Sequence, residues 1–293
     1  MPTNVYLIDA SIFVFRSYYS LPDHFRDTSG EVVNAVYGFA GFLSRLLEQT
    51  DATHVAVVFD DSLEGSFRND IYPPYKANRE PVPPELKAQF SRCRALAETL
   101  GLATFSDPEY EADDLIGTLA AVHRQNGFAT HVVSADKDLA QLLENPCDRW
   151  WDFGKSPPLD PEAIEKKFGV KPHQIADFLA LTGDSVDNIP GVPGIGPKTA
   201  VALLQHFGDL DSILRRSDEI GWLSFRGAKA CEKKIKQHAE DARLARQLTG
   251  IVCDAPMKTT LTQRRSPDPQ ALKDMFTTLN FGPLLRRKLL NLC

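Results

Sequence analysis

Three short runs of strand-forming residues, each closed by aspartate, constrain this chain more than any other feature. N-V-Y-L-I ends in Asp9, H-V-A-V-V-F leads into Asp60 and Asp61, and T-H-V-V-S-A leads into Asp136, Lys137 and Asp138. Helical patterns separate the runs. S-I-F-V-F-R-S-Y-Y-S-L follows the first, Val36, Phe39, Ala40, Leu43, Leu46 and Leu47 recur at helical spacing before the second, and L-K-A-Q-F-S-R-C-R-A-L-A-E-T-L-G ends on a glycine stop before the third. Strands alternating with helices imply an α/β fold, a largely parallel central sheet with helices on both faces. Ligands of such sheets bind at the carboxyl ends of the strands. A single strand-end aspartate is an ordinary turn residue or helix cap; three on one edge weaken that reading.

More acids join these. E-A-D-D places Glu111, Asp113 and Asp114 in the first turns of an apolar helix, and T-G-D-S-V-D supplies Asp184 and Asp187. Acids at a helix start complement its dipole, yet three within four residues repel one another unless solvent or cations hold them. The nine candidates, Asp9, Asp60, Glu111, Asp113, Asp114, Asp136, Asp138, Asp184 and Asp187, have no histidine or cysteine at ligand spacing. An all-oxygen set selects Mg²⁺ or Mn²⁺ over zinc. Two such ions ~3.5 to 4 Å apart activate water and stabilise the leaving oxygen in phosphodiester hydrolysis.

A few residues further, G-V-P-G-I-G-P-K-T-A opens an apolar helix in the pattern of a helix-hairpin-helix, about residues 181–207. Gly194 and Gly196 flank Ile195, so the backbone can take positive φ and approach a ligand, while Pro193 and Pro197 stiffen the turn. Bare N–H groups and a helix start favour a phosphate, and Lys198 adds a mobile charge. The expected DNA contacts are Gly191, Gly194, Ile195, Gly196, Lys198 and Thr199, holding the backbone without reading bases. The plainer reading is a helix corner whose Ile195 fills a core.

Between Asp61 and Leu86 runs a long proline-rich insertion with Arg68, Lys76 and Arg79 among Phe67, Tyr72 and Tyr75. Loops of this length are uncommon unless functional or disordered. Placed after a strand end, it suits substrate gating: Lys76 on the scissile phosphate, Arg79 on its neighbour, Arg68 on DNA and Tyr75 stacked on a base. Past Asp152 the composition shifts at G-K-S-P-P-L-D-P-E-A. This divides the chain into residues 1–163, an α/β part with an insertion at about 62–92, and residues 164–293, a helical DNA-binding part. Helices are expected at 161–168, 172–182, 198–207, 210–215 and 229–248, followed by packing helices with a basic patch at Arg286, Arg287 and Lys288.

The net charge of −6 argues against a nucleic-acid partner only if the charges are spread evenly. With nine of the 39 acids gathered in one site, 33 basic residues face 30 acidic ones, leaving +3 elsewhere. The apolar N-terminus is interrupted by Asp9 and lacks a basic leader, so neither a signal peptide nor a membrane span is expected. The five cysteines, Cys93, Cys147, Cys231, Cys253 and Cys293, form no C-x-x-C pair and read as reduced thiols of a cytoplasmic protein.

Six motifs in order now resemble the 5′ nuclease family that includes the flap endonucleases, and are most similar to the N-terminal 5′→3′ exonuclease domain of bacterial DNA polymerase I. They are V-Y-L-I-D-A-S; V-V-F-D with S-F-R and Y-K-A-N-R; E-A-D-D-L-I-G-T-L; A-D-K-D-L-A-Q-L; D-F-L-A-L-T-G-D-S-V-D-N-I-P-G-V-P-G-I-G-P-K-T-A; and L-S-F-R-G-A-K. The resemblance implies a structure-specific 5′ nuclease. Asp9, Asp60, Glu111 and Asp113 would hold or orient one metal, Asp136, Asp138 and Asp184 the other, with Asp114 and Asp187 outside them. Lys76 and Arg79 would belong to a helical arch acting on a threaded 5′ end, and the hairpin would carry K⁺. Ala10 and Ala135 stand where relatives have glycine. The chain ends at Cys293, without room for proofreading or polymerase domains, so a free-standing enzyme is expected. Two other readings share some features: a structure-specific DNA-binding protein with vestigial catalysis, and a PIN-like ribonuclease, which needs neither arch nor hairpin. Expected partners are branched or 5′-ended duplex DNA, RNA primer ends, and a polymerase and ligase acting in sequence with a monomer.

Overall fold

The computed structural model describes residues 2–61, 66–258 and 262–292. Cys293 and the start of the insertion, 62–65, lie outside the described residues. Five strands form one parallel sheet: β1 Asn4–Asp9, β2 His54–Val58, β3 Ala103–Phe105, β4 Ala129–Val133 and β5 Arg149–Trp151, in the order β3-β2-β1-β4-β5. The register sets Leu7 between Ala56 and Val132. The three runs expected from sequence are the central strands. The two unforeseen ones, A-T-F and R-W-W, are three-residue edge strands, too short to show a period.

Alternation along the strands divides the core into two layers. Val5, Leu7, Ala56, Val58 and Val132 face the helix Ala112–Gln125 and the helical second part. Tyr6, Ile8, Val55, Val57 and Val133 face the helices Ala10–Ser20, Asn34–Thr50 and Pro84–Thr99. Because both faces are covered, the central strands read as near-continuous apolar runs. The chain leaves β1 toward β2 and β3 on one side and continues through β4 to β5 on the other, so the crevice lies at the carboxyl ends of β1 and β4.

In the second part, Pro161–Phe168, Ile175–Thr182, Pro197–Phe207 and Leu210–Arg215 fall close to the expected helices, the second preceded by a single 3-10 turn, Pro172–Gln174. The helix expected at 229–248 is two, Ala228–Gln237 and Ala239–Thr249, broken where His238 leaves helical geometry at φ −112° and ψ 28°. The last helices, Pro269–Thr278 and Pro283–Leu290, return to the sheet, where Leu272, Phe276, Leu285 and Leu289 join the layer containing Phe39 and Leu43. In the basic patch, Arg286 bonds the carbonyls of Phe276 and Phe281 and so closes a turn. Among the described residues, no helix is long and apolar enough to cross a membrane.

Candidate active site

At the end of β1, Asp9 also caps the next helix, its Oδ1 accepting from Ile12 N–H at 3.5 Å. Its second oxygen accepts from Ser134 Oγ at 2.7 Å, and that Oγ in turn accepts the N–H of Asp136 at 2.9 Å. Ser134 thereby ties the ends of β1 and β4 together. After β2, the N–H of Asp60 donates to Ser11 Oγ at 3.1 Å, and Asp60 Oδ1 accepts from Ala112 N–H at 3.0 Å. That bond draws the acid-bearing helix start toward the strand ends.

The result is a desolvated, mutually repelling set. Burial, then Asp60 and Asp136, push Asp9 up to about 7. Asp113 is raised well above the ordinary carboxylate range by burial and by Asp136 and Asp9. Asp136 is raised by burial, against the Asp138 N–H that bonds it at 2.9 Å. Burial and Asp136 push Asp138 up to about 7. Asp184 goes the other way: burial would raise it, but a 3.0 Å bond from Lys137 Nζ and one from Val186 N–H hold it below its ordinary value.

Lys137 bridges Asp184 and Asp138, 3.1 Å from Asp138 Oδ1. That oxygen is buried and has no well-formed hydrogen bond. Sequence reading gave Lys137 no role, although its place between two aspartates in D-K-D was a visible signal. Ser134 was missed altogether. Among the described residues no three Asp, Glu, His or Cys side chains are gathered as a finished coordination sphere. Cationic side chains occupy several of the carboxylate oxygens instead.

The insertion supplies most of those cations. Arg68 is 2% exposed; it pairs with both oxygens of Asp114 at 2.7 and 2.8 Å, reaches Glu111 at 3.1 Å, and bonds the carbonyls of Leu248 and Gly250. This corrects its expected place on DNA: its donors are committed inside the protein. Asp114, fully buried, also accepts from Val252 N–H, so it clamps Arg68 and the segment after the last hairpin-side helix. Tyr75, expected to stack on a base, is 4% exposed and donates to Glu111 Oε2 at 2.9 Å, with Asp187 Oδ2 at 3.2 Å. Burial and those two carboxylates raise its phenol, which stays neutral. Lys76 and Arg79 do meet the acids. Lys76 Nζ lies 2.5 Å from Glu111 and 3.9 Å from Asp187, and Arg79 Nη2 lies 2.5 Å from Asp187 Oδ1. Burial opposes the charge on Lys76, but Glu111 and Asp187 outweigh it and raise its pKa.

Residues 72–79 form a strap fastened to the loop that carries Asp184 and Asp187. Lys76 N–H donates to Asp187 O at 3.0 Å, Asn78 to Ser185 O at 2.8 Å, and Asn188 to Pro74 O at 2.7 Å. Lys76 holds φ +55°, rare for a residue with a side chain.

The hairpin follows that loop directly. Asp184 and Ile189 exchange backbone bonds, and Val192 N–H donates to Leu181 O. A Cβ at Gly191 would come within 2.3 Å of the backbone at Thr182 and Gly183, so this glycine permits contact with protein, not with a ligand. Gly194 takes φ +77° as expected, whereas Gly196, at φ −92°, does not. Ile195 is buried and its N–H is used by Val192 O, so the plainer core reading holds for this residue. Thr199 N–H turns back to Gly196 O. Among the described residues, the N–H groups of Gly194 and Gly196 have no backbone partner, and Gly194, Gly196 and Lys198 are exposed.

A parallel sheet with acids massed at its carboxyl edge is thus joined to a helical part that presents an exposed hairpin. The chain belongs to the 5'-3' exonuclease family: the N-terminal resolvase-like domain matches residues 4–169 and the C-terminal SAM fold residues 170–271. It is 38% identical to DNA polymerase I of Bacillus caldotenax over 98% of this chain and 32% of that protein, and 37% identical to the thermostable DNA polymerase I of Thermus aquaticus over 96% and 32%. It thus spans about a third of the length of these relatives. The fold is shared with zinc-bound T5 5'-exonuclease, at TM-score 0.69, 19% identity and coverage of 98% and 97%, and with the catalytic core of Rad2 in complex with DNA substrate, at 0.67, 17%, 100% and 93%.

Proposed function

We propose that the protein hydrolyses phosphodiesters at 5′ flaps or 5′ ends of duplex DNA, leaving 5′ phosphates. The observation that carries this reading is the set of desolvated carboxylates at the crevice, one short loop from an exposed hairpin. Residues 1–163 would carry the chemistry and 164–293 the grip. The donor set suits two Mg²⁺ ions, with Mn²⁺ as substitute: all ligands are oxygen, and among the described residues the buried Asp138 Oδ1 has no hydrogen bond and faces only the Lys137 ammonium, a cation a metal ion would replace. Asp9, Asp60, Glu111 and Asp113 would hold one ion and Asp136, Asp138 and Asp184 the other, with Asp187 outside both. When bound, such ions lower the pKa of attacking water and stabilise the leaving oxygen.

Lys76 and Arg79 would exchange Glu111 and Asp187 for the phosphates flanking the cut, placing positive charge where negative charge develops. Ser134 would keep Asp9 and Asp136 in register. Arg68 with Asp114, and Tyr75 with Glu111, would hold the acid-bearing helix start in place. Zinc-bound and DNA-bound structures among the fold neighbours support metal and DNA as ligands here. The resemblance also implies K⁺ at the hairpin, but Lys234 already brings a positive charge to Gly194, a poor fit for a second cation. RNA primer ends as substrates, a monomeric state, a cytoplasmic location, and action in sequence with a polymerase and ligase complete the proposal.

A labelled 5′-flap duplex incubated with the protein and Mg²⁺ should yield a short 5′ product. Absence of cleavage under both Mg²⁺ and Mn²⁺ overturns the reading. Equal cleavage of RNA-only and DNA flaps would move it toward a ribonuclease.

A further inference from the structure

The helix Ala228–Gln237 carries four lysines, and the structure sets one of them apart. Cys231 and Ile235 are buried in the same apolar cluster as Ile195 and Leu203, which fixes the rotation of this helix against the hairpin. That rotation carries Lys234 to the turn: a Cβ added at Gly194 would stand 2.0 Å from Lys234 Nζ and 3.3 Å from its Cε. The neighbouring lysines are elsewhere. Lys236 pairs with Asp218 and, at 2.6 Å, with Glu232, while Lys233 is exposed. Lys234 itself is half-buried, and among the described residues no carboxylate pairs with it. Its ammonium therefore stands beside Gly194, in the turn whose Gly194 and Gly196 N–H groups are unpartnered, without an anion of the protein's own.

Backbone N–H groups with an adjacent cation make a phosphate cradle. A second cation at the same turn would meet like charge. We propose that Lys234 is the phosphate-contacting cation of the hairpin, so that duplex affinity depends on its ammonium and not on a bound alkali ion. This rests on the reading that the hairpin holds duplex DNA.

Equilibrium binding of a blunt duplex, followed by fluorescence anisotropy in Ca²⁺ over a series of salt concentrations, tests both levels. Lys234→Met keeps the apolar stem and removes the charge; it should weaken affinity about tenfold and reduce the slope of log affinity against log salt by about 1. Lys234→Arg should recover affinity to within about threefold of wild type, and Lys233→Met should change it less than about twofold. Replacing K⁺ by Li⁺ at constant ionic strength should shift wild-type affinity less than about twofold. Melting curves establish that each variant is folded before binding is compared. If Lys234→Met leaves affinity and slope unchanged while Lys198→Met and Gly196→Asp weaken binding, Lys234 is idle and the hairpin reading stands. If none of the three changes affinity, the hairpin reading falls as well. A tenfold loss in Li⁺ would show that an alkali ion is required and would overturn the proposal.

Discussion

The acid crevice and the hairpin are joined by one short loop, the one that carries Asp184 and Asp187, yet they are built on opposite principles. In the crevice, the proposed chemistry rests on side chains that repel one another: Asp9, Asp113, Asp136 and Asp138 are all raised by burial and by neighbouring carboxylates. Ser134 Oγ holds Asp9, the Asp138 N–H holds Asp136, and the Lys137 ammonium pairs with Asp138, while Ala112 N–H fixes Asp60 beside them. At the hairpin, the proposed grip rests on the backbone. Ile195 packs inward, Gly194 supplies the positive φ, and the charge comes from lysines on either side. Chemistry needs groups kept at an unfavourable density by the surrounding fold, whereas grip can be made from a relaxed turn. The two should therefore fail independently.

The largest expected break is Asp136→Asn. Cleavage should fall by about a thousandfold or more, since the variant removes one proposed ligand of the charge-stabilising centre. Duplex binding in Ca²⁺ should stay within about twofold. Loss of binding in the same variant would mean that crevice and hairpin are one site. Lys76→Ala comes next, with kcat reduced about 100- to 1000-fold and affinity nearly kept, because a cation at the scissile phosphate acts more on the transition state than on the bound substrate. Near-normal single-turnover rates would return Lys76 to a purely structural pairing with Glu111.

On the other side, Gly196→Asp should weaken duplex binding about tenfold while cleavage at saturating DNA is retained. A Cβ there meets nothing and φ is ordinary, so the effect reads charge against phosphate without strain. Unchanged affinity would remove Gly196 from the interface.

The smallest effect is thermal. Between pH 6.5 and 8, His123 and His131, both lowered by burial, lose their remaining protons only in the unfolded chain and add a smaller slope of opposite sign, largely complete by about pH 7.5. Asp9 and Asp138 then dominate: at about 7 when folded against the ordinary value near 4, they bind more protons in the folded state. Their contribution is present at low pH and is lost as pH rises through 7. In EDTA, Tm should fall by a few degrees between pH 6.5 and 8, and Mg²⁺ should raise it more at pH 8 than at 6.5. A Tm that climbs with pH in EDTA would mean that the acids are not crowded.

Much of this architecture was legible in the chain because its signals are local. Apolar runs closed by aspartate gave the three central strands, and G-V-P-G-I-G-P-K gave the turn. What stayed hidden depends on distant partners. Arg68 and Tyr75 lie in a polar, proline-rich stretch and read as surface residues; only the fold brings Asp114 and Glu111 to them across about forty residues of chain. Lys234 is one lysine in K-K-I-K, and nothing local distinguishes it from Lys233. The direction it faces is decided by how Cys231 and Ile235 seat the helix.

The apolar layer that begins at Val5 and Leu7 in the sheet runs without interruption through Leu139, Ile175 and Leu204 to Ile213 and Ile235. A gene fragment ending near residue 163 would leave half of that layer without its cover, and the exposed surface would favour aggregation. Recombination could then transfer the crevice only together with the hairpin, as one heritable block. The distance from cut to grip would be inherited along with the acids, whatever other domains a lineage joins to it.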